Sequence, residues 1–337
     1  MAEPAGANDR VGIAFVGAGL VAELHGRAVA ACERARFIGA YDAEPGKAAA
    51  LTARHGGRDY RTLKELVGDP DVDAVHVLTP PEGHVAAALA ALRAGKDVLV
   101  EKPVAHRTAD IRRLMRAAER AGRTCMPGHN YIYVPALRRA RELIEAGKLG
   151  PVAAFWMLYN LFHDADLIRK YGSILRVVCV HHCYSLLYLL GRPERLSCMA
   201  VPGVHAPGVP DAAQTAITCR MPDGALANLW ASFAAADPTN DPWLVQYKVL
   251  GTRGGVSYSW NEAVYQEDGG PGFGMPGYVD AFRYEVEYFV EQCVLGGSPP
   301  LSTLSDALDA LRMVEAGGRA GAPGGGGAGG GGCVPHR

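Results

Sequence analysis

The chain has 337 residues, of which 49% are hydrophobic, and its 34 Lys and Arg residues nearly balance its 35 Asp and Glu residues. A chain of this length exceeds what one hydrophobic core usually organises, so we expect two domains. The near-zero net charge provides no field that would attract nucleic acid or an anionic membrane surface, and no apolar run reaches the roughly 18 to 20 residues that span a bilayer.

The cysteines and the first residues of the chain indicate a reducing environment. Eight cysteines are scattered without a C-x-x-C pair, which is typical neither of a zinc site nor of a disulfide framework. The first ten residues lack the basic and then apolar order of a secretory signal. We therefore expect reduced, mostly buried cysteines and a cytoplasmic location.

Short apolar runs alternate with alanine-rich helical patterns through the first 125 residues. The runs are VGIAFVGAG, ARFIGAYDA, AVHVLTP and DVLVEKP, and a fifth stretch, TCMPGHN, extends the series. This alternation is typical of βαβ units and a parallel sheet. It predicts an α/β domain over residues 1–128.

The first run ends in a turn that contains Gly17 and Gly19, followed by Ala22, in the pattern G-x-G-x-x-A. The first glycine permits a tight turn, the second lets the backbone approach a pyrophosphate, and the small third residue lets the helix pack on its strand. The predicted dinucleotide contacts in this turn are Gly17, Ala18, Gly19, Leu20 and Val21. A glycine-rich turn in an α/β protein of another kind is the alternative interpretation.

Asp42 closes the second run about twenty residues later, where a carboxylate accepts hydrogen bonds from the adenosine ribose hydroxyls. The residue that follows is Ala43, and no arginine, serine or threonine stands beside the carboxylate. A 2′-phosphate would meet a negative charge there, so the sequence predicts NAD rather than NADP. A solvated turn carboxylate is the alternative at this position.

The fourth run leads directly into Glu101, Lys102 and Pro103. Parallel sheets bind ligands in the crevice outside the carboxyl ends of their strands, and the proline fixes the turn that presents the lysine. Lys102 is therefore a candidate catalytic residue.

After Pro151 the pattern changes to strand-like segments separated by turn signals such as PDG and TRGG. One strong helical segment, roughly 177–190, interrupts the early part of this series. The stretches YVDAFRYEVEYFVEQCVLGG and SDALDALRMVEAGGRA have helical spacing. We predict an α+β domain over 129–320 with a mostly antiparallel open sheet, and a disordered glycine-rich tail over 321–337.

The chain resembles the glucose–fructose oxidoreductase, inositol dehydrogenase and MocA family. The resemblance rests on the GAG turn, VLTPPEGHVAAALAALRAGKDVLVEKP, GHNYIYVP and LGTRGG, and it covers roughly residues 10–320. It implies a Rossmann domain that carries NAD or NADP, and a second domain whose open sheet forms one wall of the active site. Family members usually oxidise or reduce a secondary alcohol on a sugar, cyclitol or related polyol.

By position, the resemblance implies further cofactor contacts at Thr79, Pro80, His84, Glu101, Lys102 and Asn130. Tyr131 and Ile132 stand where the family often has arginine. The family also has a helix with an aspartate, a histidine four residues later and a second aspartate three residues after that. In this chain the three places are Val177, His181 and Tyr184, so both carboxylates are missing.

His181 is our candidate for proton exchange with the substrate, and Lys102 for holding the substrate oxygen and stabilising its charge. Histidine and a partly desolvated lysine both have a pKa suited to proton transfer, and which of the two takes the proton stays open. A pair of packed helix histidines, His181 and His182, is the structural alternative. Further candidate substrate contacts are Tyr131, His163, Asp164, Asp166 and His182.

These observations predict an NAD-dependent dehydrogenase that acts on a sugar, aminosugar or cyclitol and forms a homodimer or homotetramer. The richness in alanine, glycine and arginine is typical of high-GC bacteria, in which family members also serve antibiotic biosynthesis. An aminoglycoside-type substrate would suit the carboxylates of Asp164 and Asp166, and a solvated loop with internal ion pairs is the alternative for this segment. No metal is predicted, because H-D-A-D offers poor ligand geometry. The alternative is an inactive NAD-binding regulator or sensor.

Overall fold

The computed structural model describes residues 10–237, 243–259, 276–320 and 332–333. The chain divides into two compact units. Within the described residues, the first unit extends to Val134 and also includes Val279–Leu308. The second extends from Pro135 to Tyr278 and includes the residues from Asp309 onward.

The first unit contains a six-stranded sheet in the order β3-β2-β1-β4-β5-β6, in which all neighbouring strands are parallel. The strands are β1 (Val11–Val16), β2 (Ala35–Tyr41), β3 (Arg58–Asp59), β4 (Ala74–Val77), β5 (Asp97–Glu101) and β6 (Cys125–Gly128). The direction of the chain across the sheet reverses between β1 and β4, which is where doubly wound sheets bind ligands. The predicted parallel sheet is confirmed, including the strand at TCMPGHN.

Helices alternate with these strands. They are α1 (Leu20–Ala31), α2 (Lys47–His55), α3 (Leu63–Gly68), α4 (Pro81–Arg93) and α5 (Thr108–Ala121), and a 3₁₀ helix (Asn130–Tyr133) follows β6. Every residue of β1, β4 and β5 is buried. Continuous apolar strands of this kind are expected where both faces of a parallel sheet are covered.

The second unit contains a seven-stranded sheet in the order β12-β11-β7-β10-β9-β8-β13. The strands are β7 (Val152–Leu161), β8 (Arg195–Pro202), β9 (Ala212–Arg220), β10 (Leu226–Ser232), β11 (Trp243–Gly251), β12 (Gly255–Ser259) and β13 (Gly332–Cys333). Within this sheet, only β10 and β7 pair in parallel among the described strands, so the predicted mostly antiparallel sheet is confirmed. Along β9 and β11 burial alternates from residue to residue, which shows that one face is covered.

The helices of the second half are α6 (Pro135–Glu145), α7 (Ala165–Tyr171), α8 (Ile174–Val177), α9 (Cys179–Leu190), α10 (Pro276–Tyr288) and α11 (Leu304–Ala320). A π-helical segment, Phe289–Leu295, continues α10. The helix predicted over roughly 177–190 is α9, which begins at Cys179, two residues after Val177 ends α8. Two successive β-branched valines crowd the helix at this point and favour the interruption.

Three other expectations from the sequence concern membrane-spanning helices, the cysteines and the glycine-rich tail. Within the described ranges, no helix combines the length and apolarity that crossing a membrane requires. Seven cysteines in these ranges are free, and six of them are buried. Most of the predicted disordered tail lies outside the described residues, but Gly332–Cys333 pairs with β8 and therefore differs from that prediction.

Candidate functional site

The two glycines of the first turn have different environments. Gly17 has φ +102°, and a Cβ added to it would lie 2.6 Å from backbone atoms of Leu78 and Thr79. A Cβ added to Gly19 would have no other atom within 4 Å. Gly17 is therefore required by the packing of the turn, whereas Gly19 borders open space into which a ligand can approach.

The start of α1 supplies donors for an anion. Gly19 is the N-cap residue and makes no side-chain capping hydrogen bond, so the first N–H groups of α1 lack that partner. Unsatisfied N–H groups and the positive end of the helix dipole attract phosphate. Leu20 is 63% exposed at this helix start, Val21 is half-buried and Ala22 is buried against the strands. This geometry fits the pyrophosphate of a dinucleotide.

Asp42 is held beside the glycine turn. Its Oδ2 accepts a hydrogen bond from the backbone N–H of Ala18 at 2.7 Å, and its Oδ1 accepts one from the N–H of Glu44 at 2.8 Å. Each carboxylate oxygen retains a further lone pair for a ribose hydroxyl. The nearby Lys47 ammonium pairs with Glu44 at 2.5 Å. The residues present therefore fit NAD.

The predicted nucleotide-binding and catalytic turns lie at one edge of the first sheet. The strands β2, β1, β4 and β5 are consecutive neighbours and run parallel, so their carboxyl ends lie at the same edge. Asp42, Gly17, Thr79 and Lys102 each follow one of these strands. The fold thus brings together residues that are up to 85 positions apart in the sequence.

His84, a predicted cofactor contact, bonds to the backbone of two turns. It is buried on α4, with Nε2 2.7 Å from the carbonyl oxygen of Thr79 and Nδ1 2.9 Å from that of Pro103. Burial lowers its pKa, and a neutral imidazole donates to one of these two carbonyls at a time. His84 therefore ties the turn after β4 to the turn after β5. Pro80, between Thr79 and α4, is the N-cap residue of that helix.

Lys102 is half-buried directly after β5, and its peptide bond to Pro103 is cis. Its backbone N–H donates to Oε2 of the buried Glu101 at 2.9 Å. Burial lowers the pKa of the Lys102 ammonium, and the negative charge of Glu101 partly opposes this effect. A lysine with a lowered pKa exchanges protons more readily near neutral pH.

Asn130 and Tyr131 lie in the 3₁₀ helix after β6, and both are buried. The preceding His129 shares a hydrogen bond of 2.6 Å with Ser302 Oγ. Burial, followed by the charge of Lys102, lowers the pKa of His129 to about 3. His129 is therefore a neutral hydrogen-bonding group near the lysine.

His181 has a partner that sequence reasoning missed. Its Nδ1 lies 2.5 Å from the hydroxyl of Tyr184, three residues later on α9, and both side chains are buried. Tyr184 occupies the place where the family resemblance puts an aspartate. Residues three apart on a helix are neighbours on its surface, so the spacing itself is the signal that identifies this pair. Val177, at the place of the other aspartate, ends α8.

His182 has a different environment from His181. It is fully buried, and neither ring nitrogen has a hydrogen-bond partner among the described residues. Burial lowers its pKa to about 3, so the ring is neutral. Its ring centroid lies 6.4 Å from that of Tyr159. These surroundings are those of a core residue.

The predicted acidic patch is engaged locally. Asp164 is the N-cap of α7 and accepts a hydrogen bond from Leu167 N at 2.8 Å, and exposed Asp166 pairs with Arg169 at 2.7 Å. His163 stacks on Phe233 at a centroid distance of 4.0 Å, and burial lowers its pKa. None of these contacts involves His181.

A surface cleft lies at the opposite edge of the first sheet, beside the starts of β1 and β5. Three of its charged side chains, Lys96, Asp97 and Arg123, have structural partners. Lys96 donates to the carbonyl oxygens of Asp69 and Val72 at 3.0 and 2.6 Å, and Arg123 pairs with Asp97 at 3.3 Å. We therefore assign no ligand to this cleft.

Two family models match successive parts of the chain. One, described as an oxidoreductase family with an NAD-binding Rossmann fold, matches residues 11–129, and the GFO/IDH/MocA C-terminal domain matches residues 137–257. The chain belongs to the GFO/IDH/MocA family. Its glycine turn, Asp42 and Lys102 all lie within the NAD-binding match, so the cofactor predicted from these residues is confirmed as NAD.

Individual GFO/IDH/MocA relatives support this membership. A 4-carboxy-2-hydroxymuconate-6-semialdehyde dehydrogenase of Sphingobium is 33% identical over 71% of the chain and 80% of the relative. A 1,5-anhydro-D-fructose reductase of Ensifer adhaerens is 33% identical over 56% of the chain, which spans 59% of that relative. The structure of GenD2 from gentamicin A biosynthesis, in complex with NAD, has a TM-score of 0.80 and 25% identity over 95% of the chain and 97% of GenD2.

Proposed function

We propose that the protein oxidises a secondary hydroxyl of a sugar, aminosugar or cyclitol with NAD, or catalyses the reverse reduction. The observation that carries this proposal is a half-buried lysine on the same sheet edge as the nucleotide turn. When bound, the nicotinamide supplies the hydride acceptor. The protein must then hold the hydroxyl oxygen and manage its proton.

We assign these two tasks to Lys102 and His181. Lys102 holds the hydroxyl oxygen and stabilises the charge that develops on it. His181 exchanges the proton, and Tyr184 orients its ring through Nδ1. Of the remaining candidates, Tyr131, His163, Asp164 and Asp166 stay proposed substrate contacts, whereas His182 has the surroundings of a core residue.

An aminoglycoside-type intermediate is the finer substrate that we propose. It is supported by the similarity to GenD2 and by the exposed carboxylates of Asp164 and Asp166, which retain lone pairs for an ammonium group. Turnover of matched aminosugars and neutral sugars tests this choice. Equal turnover of both classes would contradict it, although the dehydrogenase proposal would stand.

The decisive experiment follows NADH absorbance while the protein is incubated with NAD and a panel of polyols, cyclitols and aminosugars. For a substrate that turns over, Lys102→Ala should lower turnover roughly 100-fold or more, the scale of removing a key electrostatic contact. Lys64→Ala, which truncates an exposed lysine on α3, is the matched control and should keep the wild-type rate. Near-normal turnover in Lys102→Ala would refute the role of this residue.

A sensor that binds NAD without turnover is the second candidate function. Val177 and Tyr184 favour it, because they replace the two carboxylates that the family resemblance leads us to expect. Tight NAD binding with no NADH formation across the whole panel would support the sensor. Steady NADH formation with any substrate would support the enzyme.

We also propose that the protein is a homodimer or homotetramer. The outer face of the second sheet carries exposed or half-buried apolar side chains, among them Met199 at 71% and Leu226 at 49% exposure, with Trp230 beside them. Exposed apolar surface of this kind is typical of association sites. Light scattering across a range of protein concentrations checks this proposal, and a persistent monomer would contradict it.

A further inference from the structure

Behind Lys102, four titratable side chains meet in the core of the first unit. They are His25 on α1, His76 on β4, Glu101 at the end of β5 and Glu285 on α10. His25, His76 and Glu285 are completely buried, and Glu101 is 6% exposed. One polar atom from each of His25, Glu101 and Glu285 lies within 4.8 Å of the other two.

Hydrogen bonds link three of these groups to the lysine turn. His25 Nε2 donates to Glu101 Oε1 at 3.3 Å, and His25 Nδ1 lies 3.2 Å from His76 Nδ1. The other oxygen of Glu101 accepts from the backbone N–H of Lys102. Burial raises the pKa of Glu101, but the hydrogen bond and charge of His25 outweigh that effect and the pKa is lowered. Glu101 is therefore an anion.

Glu285 does not share in these bonds. Neither of its oxygens has a hydrogen-bond partner among the described residues. Aromatic rings close the surroundings of the histidines: Phe282 meets His25 edge-on at 5.2 Å, and Phe15 stacks on His76 at 5.3 Å. An isolated carboxylate in such an environment is very costly, and a carboxylic acid that keeps its proton avoids most of this cost.

The charges around Glu285 favour the proton as well. Burial, and then the negative charge of Glu101, raise the pKa of Glu285 well above its ordinary value. Among the described titratable groups, His25, His84 and Lys102 interact with Glu101, and Tyr133 interacts with Glu285. His76 contacts His25, and His129 interacts with Lys102. Glu101 already pairs with His25 and the lysine turn, and no described cation contacts Glu285.

We propose that Glu285 holds a proton in the native protein, so that Glu101 is the single negative charge of the buried pair and positions Lys102. Two carboxyl groups this close favour a single negative charge between them. Glu285 is a positioning residue, because its proton limits the buried pair beside Lys102 to one negative charge. The consequence for the reaction rests on the proposed function of Lys102.

The first test measures stability, which does not depend on activity. Above the pKa of about 4.5 that glutamate has in the unfolded chain, folding must bind a proton at Glu285. The comparison variant is Glu285→Gln, a neutral isostere. For each unit that the pH rises, the ratio of the folding equilibrium constant of the wild type to that of the variant should fall about tenfold, until Glu285 ionises in the folded state. Urea unfolding of the full chain between pH 5.5 and 8 measures this ratio. A ratio that does not change with pH would overturn the proposal.

Two controls distinguish a proton on Glu285 from a general effect of the substitution and from a bound cation. Glu287 lies on the same helix but pairs with Arg283 at 3.1 Å. The ratio of the folding equilibrium constant of the wild type to that of Glu287→Gln should therefore not change with pH. A divalent cation bound by the same three groups would require both carboxylates to be ionised. A rise in the melting temperature of the wild type with added Zn²⁺ or Mn²⁺, absent in Glu285→Gln, would therefore also overturn the proposal.

The second test concerns Lys102. Removing the charge of Glu101 removes the group that raises the pKa of the lysine, so Glu101→Gln should shift the lysine limb of the kcat/KM profile to lower pH. Glu285→Gln should leave this limb where it is, because it replaces a neutral carboxylic acid with a neutral amide. If the stability ratio behaves as expected but the Glu101→Gln profile does not move, the proton on Glu285 is supported and the role proposed for Lys102 fails.

Discussion

The replacement of an aspartate by Tyr184 changes the chemistry available to His181. An aspartate only accepts hydrogen bonds and stabilises an imidazolium by its charge, as in carboxylate–histidine pairs. A tyrosine, with an ordinary pKa near 10, is neutral at working pH and both donates and accepts. The hydroxyl at 2.5 Å therefore orients the ring of His181 but adds no negative charge beside it.

Tyr184→Phe tests this arrangement. Loss of the hydroxyl should lower kcat roughly tenfold or more, because general acid–base catalysis depends on an oriented imidazole. Unfolding free energy should fall by about 1 kcal/mol, the net value of one hydrogen bond. Rates measured from pH 5.5 to 9 check the first expectation, and urea unfolding checks the second.

Two further variants define the outcome. Tyr184→Asp restores a carboxylate and should move the histidine limb of the profile to higher pH, since a nearby anion raises a histidine pKa. Tyr188→Phe makes the same chemical change one turn further along α9 and should leave the profile unmoved. If Tyr184→Phe kept the wild-type kcat and profile, the hydroxyl would have no part in catalysis.

In the turn between β1 and α1, Gly17 is required for folding, whereas Gly19 is required for the proposed binding of NAD. Gly17→Ala places a Cβ 2.6 Å from the backbone of Leu78 and Thr79 at a positive φ, so it should cost roughly 1–3 kcal/mol of stability. Gly19→Ala has a negative φ and open space, and its stability should stay within about 1 kcal/mol of the wild type. Its methyl group would nevertheless occupy the space that a pyrophosphate approaches.

We therefore expect Gly19→Ala to bind NAD more weakly at unchanged melting temperature, and Gly17→Ala to melt earlier. Thermal melts with and without NAD, together with titration of NAD into each variant, measure both effects. Unchanged NAD affinity in Gly19→Ala would mean that the dinucleotide does not approach the backbone at this turn.

The same elements show what could be predicted from the sequence. Five strands of the first sheet and the glycine turn are encoded locally, by apolar runs and by glycine spacing, and both were predicted. The two-residue β3 (Arg58–Asp59) is exposed and polar, and it was not predicted. The bridge that His84 makes between two turns joins residues 79 and 103 and has no local pattern. The assignment of Val279–Leu308 to the first unit likewise depends on contacts far along the chain. Tyr184 was within reach, since its three-residue spacing from His181 is visible in the sequence.

On the scale of the whole molecule, buried histidines set the response to acid. Burial lowers the pKa of five described histidines, three in the first unit and two in the second: His76, His84, His129, His163 and His182. At pH values below 6.5, the ordinary pKa of histidine, these side chains bind protons in the unfolded chain but stay neutral in the folded protein. Stability must therefore fall as the pH decreases below 6.5 in both units. Glu285, with its raised pKa, contributes in the opposite direction.

The size of this effect follows from the two histidines whose pKa is lowered to about 3. His129 and His182 have pKa values of about 3 in the folded protein. Each of them should lower the unfolding free energy by about 1.4 kcal/mol as the pH falls from 7.5 to 5.5. Together they predict a loss of about 3 kcal/mol, to which the other three histidines add. Glu285 contributes a gain of similar size over this range while it keeps its proton, so the loss should be larger in Glu285→Gln than in the wild type. Urea unfolding at pH 7.5, 6.5 and 5.5 measures the loss.

His182→Leu isolates one of these contributions. The variant removes a ring whose nitrogens have no described partner, so its stability at pH 7.5 should equal or exceed that of the wild type. Between pH 7.5 and 5.5 its unfolding free energy should fall by about 1.4 kcal/mol less than that of the wild type, because it lacks a histidine that stays neutral in the folded protein. His106→Leu, at an exposed position, is the matched control and should lose as much as the wild type. If His182→Leu and the wild type lost stability equally, His182 would have to bind a proton in the folded protein, and its place in a dry core would be wrong.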